Sequence, residues 1–277
     1  MNETEIPLAG GNVNAEVVRV GDTVRRIQTP ASATIHRLLQ HLADKQFFGC
    51  PRFIGIDGKD REILSWVEAD TGLTPHIWAD DEPLVAAARL LRAFHDATED
   101  FPQGAGAVWA CADPDATRHD VICHNDFAPY NFVYAKGIPQ AVLDFDLAGP
   151  GPRIRDVAYA AYWMVPLCFH ATDMRAFAET DVQNGSRRLR KFCETYGIPV
   201  DAALLDMVGE VLTQMGDEDR MQRMIGPKAA ARLKCEGHLD HWQRAAEAFS
   251  RRMIKPNSIS QQRETECLTQ VLNHNDC

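Results

Sequence analysis

The spacing of apolar residues changes period once along this chain, around residues 70–83, and that change limits the fold more than any other feature. Upstream, Val17, Val18, Val20, Val24 and Ile27 surround the Gly21-Asp22 pair, a pattern that predicts two short strands joined by a tight turn. Residues 33–45 then place Ile35, Leu38, Leu39 and Leu42 at helical spacing, with Ser32 or Thr34 available as the cap. A second hairpin is expected from residues 52–57 and 62–67, which bracket Gly58-Lys59-Asp60. Beyond the polar, Pro- and Gly-containing stretch the pattern turns helical. Residues 84–97, 157–168, 174–196, 202–215 and 229–253 each read as a helix. A small strand-rich unit followed by a larger helical one leaves a cleft between them, an α+β arrangement. The expected boundaries are 1–70 for the first lobe, 71–83 for a hinge, 84–255 for the second lobe and 256–277 for a tail.

Composition narrows the possibilities. With 45% hydrophobic and 25% charged residues the chain has the makeup of an ordinary globular protein. A net charge of −10 speaks against a nucleic-acid binder, which needs a basic surface. The eight cysteines contain no C-x-x-C pair, so they read as free thiols rather than zinc ligands. No stretch has the roughly 20 apolar residues of a membrane span. The first residues lack the pattern of a secretory signal, so a cytoplasmic location is expected.

The chemistry concentrates in residues 121–156. Cys123-His124-Asn125-Asp126-Phe127-Ala128-Pro129-Tyr130-Asn131 follows an apolar strand, Leu143-Asp144-Phe145-Asp146 comes next, and Arg155-Asp156-Val157-Ala158 closes the stretch. Phosphoryl transfer to a hydroxyl needs a carboxylate to orient the nucleophile and oxygen ligands for a divalent metal. An H-x-D-x4-N followed by D-F-D offers both. Residues 132–143 read as a hairpin around Lys136-Gly137, which would return Asp144 to the end of the loop carrying Asn131. Taken alone, Asp126 could simply cap a helix starting near Phe127.

This segment resembles the catalytic loop and metal-binding motif of the aminoglycoside phosphotransferase and choline kinase superfamily. The resemblance implies a bilobal protein-kinase-like fold and an ATP- and Mg2+-dependent enzyme that phosphorylates a small-molecule hydroxyl. It implies Asp126 as the catalytic aspartate, Asn131 and Asp144 as metal ligands, His124 as a support of the loop and Asp156 as its brace. Asp146 either assists the metal or sits at a turn. On the nucleotide side it implies Gly11 in a phosphate-covering loop and Trp66, Val67 and Glu68 at the hinge, where Trp66 either stacks near adenine or belongs to the core.

One departure from the family concerns the phosphate-binding lysine and its glutamate partner on the following helix. The equivalent strand reads Thr23-Val24-Arg25-Arg26-Ile27, and the helix carries His36 and Gln40 but no glutamate. Arg25 or Arg26, whichever faces the cleft, would replace the lysine. The absence of the glutamate motivates a rival reading, a pseudokinase that binds nucleotide without turnover. A metal-dependent hydrolase using His124, Asp126, Asp144 and Asp146 is a lesser alternative. In the helical part, Asp217-Glu218-Asp219 reads as a solvated loop face, and His238 and His241 as surface or packing residues.

Overall fold

Strand pairing follows from the alternation of side chains. In the computed structural model, which describes residues 4–8, 17–68 and 76–253, β1 (Ile6–Pro7), β2 (Val18–Val20) and β3 (Thr23–Ile27) form antiparallel neighbours. Gly21, at φ 58°, makes the turn between β2 and β3 that the sequence places there. Helix α1 (Ser32–Asp44) follows, then β4 (Phe53–Ile56) and β5 (Arg61–Ser65). The sheet order is β1-β2-β3-β5-β4, so the β4–β5 hairpin joins the first through β5, which faces β3 residue for residue: Val24 opposite Leu64, Arg26 opposite Glu62. The expected cap is not as drawn. Ser32 is already helical and accepts from the Thr29 amide at 2.8 Å, while Thr34 accepts from the Val108 amide at 3.0 Å.

The rest is mainly helical. Short α2 (His76–Ala79) leads into α3 (Asp81–Thr98). The strands β6 (Val121–Cys123), β7 (Phe132–Ala135), β8 (Ile138–Val142) and β9 (Gly149–Gly151) form two small antiparallel pairs, β6 with β9 and β7 with β8. They are followed by α4 (Arg153–Met164), α5 (Thr172–Gln183), α6 (Arg187–Tyr196), α7 (Ala202–Met215), α8 (Glu218–Ile225), α9 (Pro227–Cys235) and α10 (His238–Met253). The β7–β8 turn falls at Lys136-Gly137, as the sequence predicts.

Two of the expected helices are divided. The run 174–196 breaks because Gly185 and Ser186 adopt φ of 68° and 53°, and 229–253 breaks at Gly237, φ 82°. A left-handed residue cannot continue a right-handed helix. The acidic knot is structural: Asp217 caps α8 by accepting from the Arg220 amide, and Glu218 pairs with Lys234.

Helix α4 lies at the centre of the core, with residues 155–162 all buried, Asp156 and Arg155 among them. Burying two ionisable side chains costs several kcal/mol unless they are hydrogen-bonded, and both are bonded to the loop that follows β6. Gly149 on β9 sets the spacing there: a Cβ at this position would stand 1.9 Å from the Cys111 carbonyl oxygen. The six cysteines among the described residues are free. Among the described residues no helix is long and apolar enough to cross a membrane.

Candidate active site

The loop after β6 is fixed from beneath by one carboxylate. Asp156 of α4 accepts from the His124 amide at 2.5 Å and the Asn125 amide at 2.8 Å, and from His95 Nε2 at 3.1 Å. His95 of α3 is held in turn by the Tyr196 hydroxyl at 2.6 Å. Burial alone would raise the Asp156 carboxyl, but the hydrogen bond from His95 and those from the loop amides outweigh it and keep the pKa below the ordinary value. Asn125 takes a left-handed φ of 64°. Its amide donates to the Cys111 and Leu147 carbonyls, and its oxygen accepts from Arg155 at 2.7 Å. A residue in that conformation turns the chain sharply, so the next side chain, Asp126, leaves the buried layer.

His124 is fully buried, and burial lowers its pKa to about 4, so the ring is neutral. Its Nε2–H donates to the Leu143 carbonyl at 3.0 Å, leaving Nδ1 to accept from the Asp126 amide at 3.3 Å. One ring thereby ties the Asp126 backbone to the strand end that carries Asp144.

The Asp126 carboxylate is partly buried. Oδ2 accepts from Asn131 Nδ2 at 2.7 Å, and Oδ1 from the hydroxyls of Tyr130 and Tyr159, the latter at 3.1 Å. Desolvation pushes its pKa up to about 7, aided by nearby Asp144 and opposed by the three donors. Asp126 caps no helix; the short turn at 129–131 starts from Ala128. Asn131 also donates to the Asp126 carbonyl. With its amide protons on Asp126, its oxygen is left as an acceptor.

Asp144 sits at φ 64° with a side chain 45% exposed, and Asp146 is more enclosed. Between them and the sheet lies Arg26. Its guanidinium meets Asp146 Oδ1 at 2.6 Å, Asp144 Oδ1 at 3.6 Å and the Glu62 carboxylate in close contact. Burial opposes its charge, but the three carboxylates outweigh burial and raise its pKa. Arg25 alternates to the other side of β3, where it meets Thr23 and, at 3.8 Å, Asp57. Of the two arginines, Arg26 is therefore the one at the motif.

The partner of that arginine is a correction. The glutamate sought on the helix stands on β5: Glu62, 1% exposed, opposite Arg26 in the sheet. Helix α1 contributes His36 instead, whose Nε2 lies 2.6 Å from Glu62 Oε2 and whose ring stacks on Phe53 at 3.8 Å. Sequence reading looked in the wrong element. The available signal was a charged residue in the inward register of Glu62 and Leu64, a polar position on an otherwise apolar face. Tyr130 and Tyr159, the two phenols on Asp126, were also missed; Tyr130 lies inside the motif, whereas nothing in the sequence of α4 marks Tyr159.

Trp66 follows β5, with the Arg19 guanidinium 4.3 Å over its ring. It is half-buried and is not a member of the main core. Val67 and Glu68 continue beside it, half-buried and exposed. Gly11 lies outside the described residues, as do the whole of the expected tail, 256–277, and residues 71–75 of the expected hinge, whose remainder is helical in α2 and the start of α3. His241 is not isolated: its Nδ1 lies 3.3 Å from His170 Nε2. His238 is near Glu236.

The donors around the cleft fit a hard divalent cation. The Asn131 amide oxygen and the Asp144 and Asp146 carboxylates are all oxygen ligands, and the Arg26 guanidinium already stands as a cation against both carboxylates. A different cluster, His95, Cys123 and Asp156, is fully buried, and its atoms are engaged in loop support.

Comparison with known proteins bears on the fold and on residues 97–192. The model of the phosphotransferase enzyme family matches residues 97–192. The trifolitoxin immunity protein of Rhizobium leguminosarum bv. trifolii is 34% identical over 167 residues, which is 58% of this chain and 62% of that protein. Among solved structures, amicoumacin kinase hAmiN in complex with AMP-PNP, Ca2+ and Ami has a TM-score of 0.58 at 12% identity, covering 95% of this chain and 92% of that one. The gentamicin complex of APH(2″)-IIa gives 0.56 at 14%, covering 89% and 93%. The aminoglycoside phosphotransferase of Alicyclobacillus acidocaldarius gives 0.52 at 17%, covering 98% and 94%. The chain has the α+β fold of these kinase-like enzymes. Residues 97–192 are similar to the phosphotransferase enzyme family.

Proposed function

We propose that this chain is a small-molecule kinase that moves the γ-phosphate of ATP to a hydroxyl of an antibiotic or toxin. The observation that carries the reading is the Asp126 carboxylate held by Asn131 and close enough to Asp144 to feel its charge, with Asp144 and Asp146 gathered on the Arg26 guanidinium. Asp126 orients the acceptor hydroxyl and receives its proton as the acceptor oxygen bonds to the γ-phosphorus and the bond to the bridging oxygen of ADP breaks. Asn131 and Tyr159 hold the carboxylate in place. Arg26, steadied by Glu62 and His36, sets a permanent positive charge toward the phosphates. Asn131, Asp144 and Asp146 would hold magnesium, which when bound neutralises phosphate charge. On the nucleotide side, Trp66, Val67 and Glu68 border the adenine position, and residues 1–70 and 84–255 act as the two lobes.

The acceptor class rests on likeness. The relative named above is an immunity protein against a toxin, and two structural neighbours carry gentamicin and Ami. Self-protection by phosphorylation of a toxic compound in the cytoplasm joins these. The Arg26–Glu62 pair removes the main motive for a pseudokinase, and the engagement of both His124 nitrogens by Leu143 and Asp126 speaks against a hydrolase that ligates metal through that ring. The test is binding of the non-hydrolysable ATP analogue AMP-PNP with Mg2+, followed calorimetrically. Tight binding that weakens at least tenfold in Asp144→Asn supports the reading; metal-independent or absent binding contradicts it.

A further inference from the structure

Asp126 Oδ1 is already occupied. The Tyr130 hydroxyl donates to it, the Tyr159 hydroxyl does so at 3.1 Å, and the two phenols touch at 2.9 Å. A carboxylate oxygen only accepts, so each phenol meets Oδ1 as the donor. The two differ in position. Tyr159 is 2% exposed and locked in α4, whereas Tyr130 is 44% exposed and lies on the loop. Tyr130 can turn away from the carboxylate; Tyr159 cannot without disturbing the core.

Half-buried Trp163 stands behind Tyr130, its ring edge-on at 5.4 Å, and is backed by the buried core rings of Trp242 at 5.9 Å and Tyr162 at 5.5 Å. Trp78 donates to the Trp163 carbonyl at 2.8 Å and extends the same face. Four aromatic rings, those of Tyr130, Tyr159, Tyr162 and Trp242, meet Trp163, and the Asp126 carboxylate is bonded to two of them. A polycationic amino sugar would require several carboxylates in place of these rings. A flat, apolar body fits by offset or edge-to-face contact.

We infer that the Tyr130 phenol holds the seat of the acceptor hydroxyl, and that the acceptor displaces it while laying an aromatic or similarly flat apolar body against Tyr130 and Trp163. This rests on the phosphotransferase reading for Asp126 and names the chemistry of its acceptor. Tyr130 is thus a gate: closed, it shields Asp126 from water; turned out, it becomes part of the acceptor wall. Trp163 selects the body of the acceptor rather than its hydroxyl.

The test has two arms on the full chain. In the first, saturation-transfer NMR without nucleotide compares 2-phenylethanol with gentamicin. The phenyl alcohol should bind, lose at least fivefold in affinity in Trp163→Leu, and gain in Tyr130→Phe, which keeps the ring and removes the competing hydroxyl. In the second, ATP turnover without acceptor should rise roughly tenfold in Tyr130→Phe, the scale of one hydrogen bond to a charged group, and vanish in Asp126→Asn. Binding of gentamicin in place of the phenyl alcohol, or phenyl alcohol binding indifferent to both variants, overturns the acceptor assignment whatever the turnover. An unchanged rate in Tyr130→Phe alongside a null Asp126→Asn overturns the gate while leaving the kinase intact. No nucleotide binding in any protein sinks the kinase reading, and the NMR arm still decides the wall. Should Trp163→Leu fail to fold, Tyr130→Phe decides in both arms.

Discussion

Replacing Arg26 with methionine perturbs three carboxylates at once. Glu62, 1% exposed, would keep only His36, and Asp146 and Asp144 would face each other with no guanidinium between them. Removing one member of a buried pair costs about 3–5 kcal/mol because the other charge is left desolvated. The Asp144 contact adds little to this, being long and on a half-exposed side chain. A loss of about 3 kcal/mol is therefore expected, or roughly 6–12 °C in melting temperature for a chain of this size. Lysine at the same position keeps the charge but not the fork and should lose about half as much. Urea unfolding of the nucleotide-free protein checks the magnitude. The same variant separates structural from ligand roles, because Asp144 and Asp146 without Arg26 make a stronger cation site: Mn2+ alone should bind Arg26→Met at least tenfold more tightly than wild type and restore part of its stability. An Arg26→Met protein within about 1 kcal/mol of wild type, with unchanged Mn2+ affinity, would refute the reasoning.

Ionising Asp126 in its desolvated setting opposes folding, so its contribution worsens as pH rises from about 4 to about 7 and is fully unfavourable above that. Asp126→Asn should accordingly be more stable than wild type at pH 8, by about 2 kcal/mol once partial exposure is discounted, and equal to it near pH 4; denaturant titrations at the two pH values show the difference or its absence. The phosphotransfer rate of wild type should climb through an acidic limb near pH 7 as the carboxylate ionises, since a protonated acid cannot accept the acceptor proton. A flat profile from pH 5 to 8 would contradict Asp126 as the base. Gly149→Ala forces a methyl onto the Cys111 carbonyl oxygen and should cost about 2 kcal/mol or more, readable as a lowered melting temperature.

What the sequence made legible was local. The two hairpins, α1, α3, α7 and the β7–β8 turn follow from residues near one another in the chain, where period and turn chemistry act directly. The loop from His124 to Asn131 and the pair Asp144 and Asp146 stood out because several polar residues recur at fixed spacing between apolar strands. Helix ends at Ser186 and Gly237 escaped because apolar spacing continues across them, while the break is made by a backbone dihedral. The choice between Arg25 and Arg26 needed the register of β3 against β5, which also revealed Glu62. Tyr159 reaches Asp126 from a helix whose own sequence reports only burial. Tertiary pairing between distant segments is the information that residue patterns do not carry.

The most direct test of the central claim is ADP release from Mg2+-ATP by the purified chain in the presence of hydroxylated antibiotics and toxins, with Asp126→Asn alongside. Release that depends on one acceptor, with phosphate recovered on its hydroxyl and with none in the variant, is the predicted result. Acceptor phosphorylation that persists in Asp126→Asn would contradict the account.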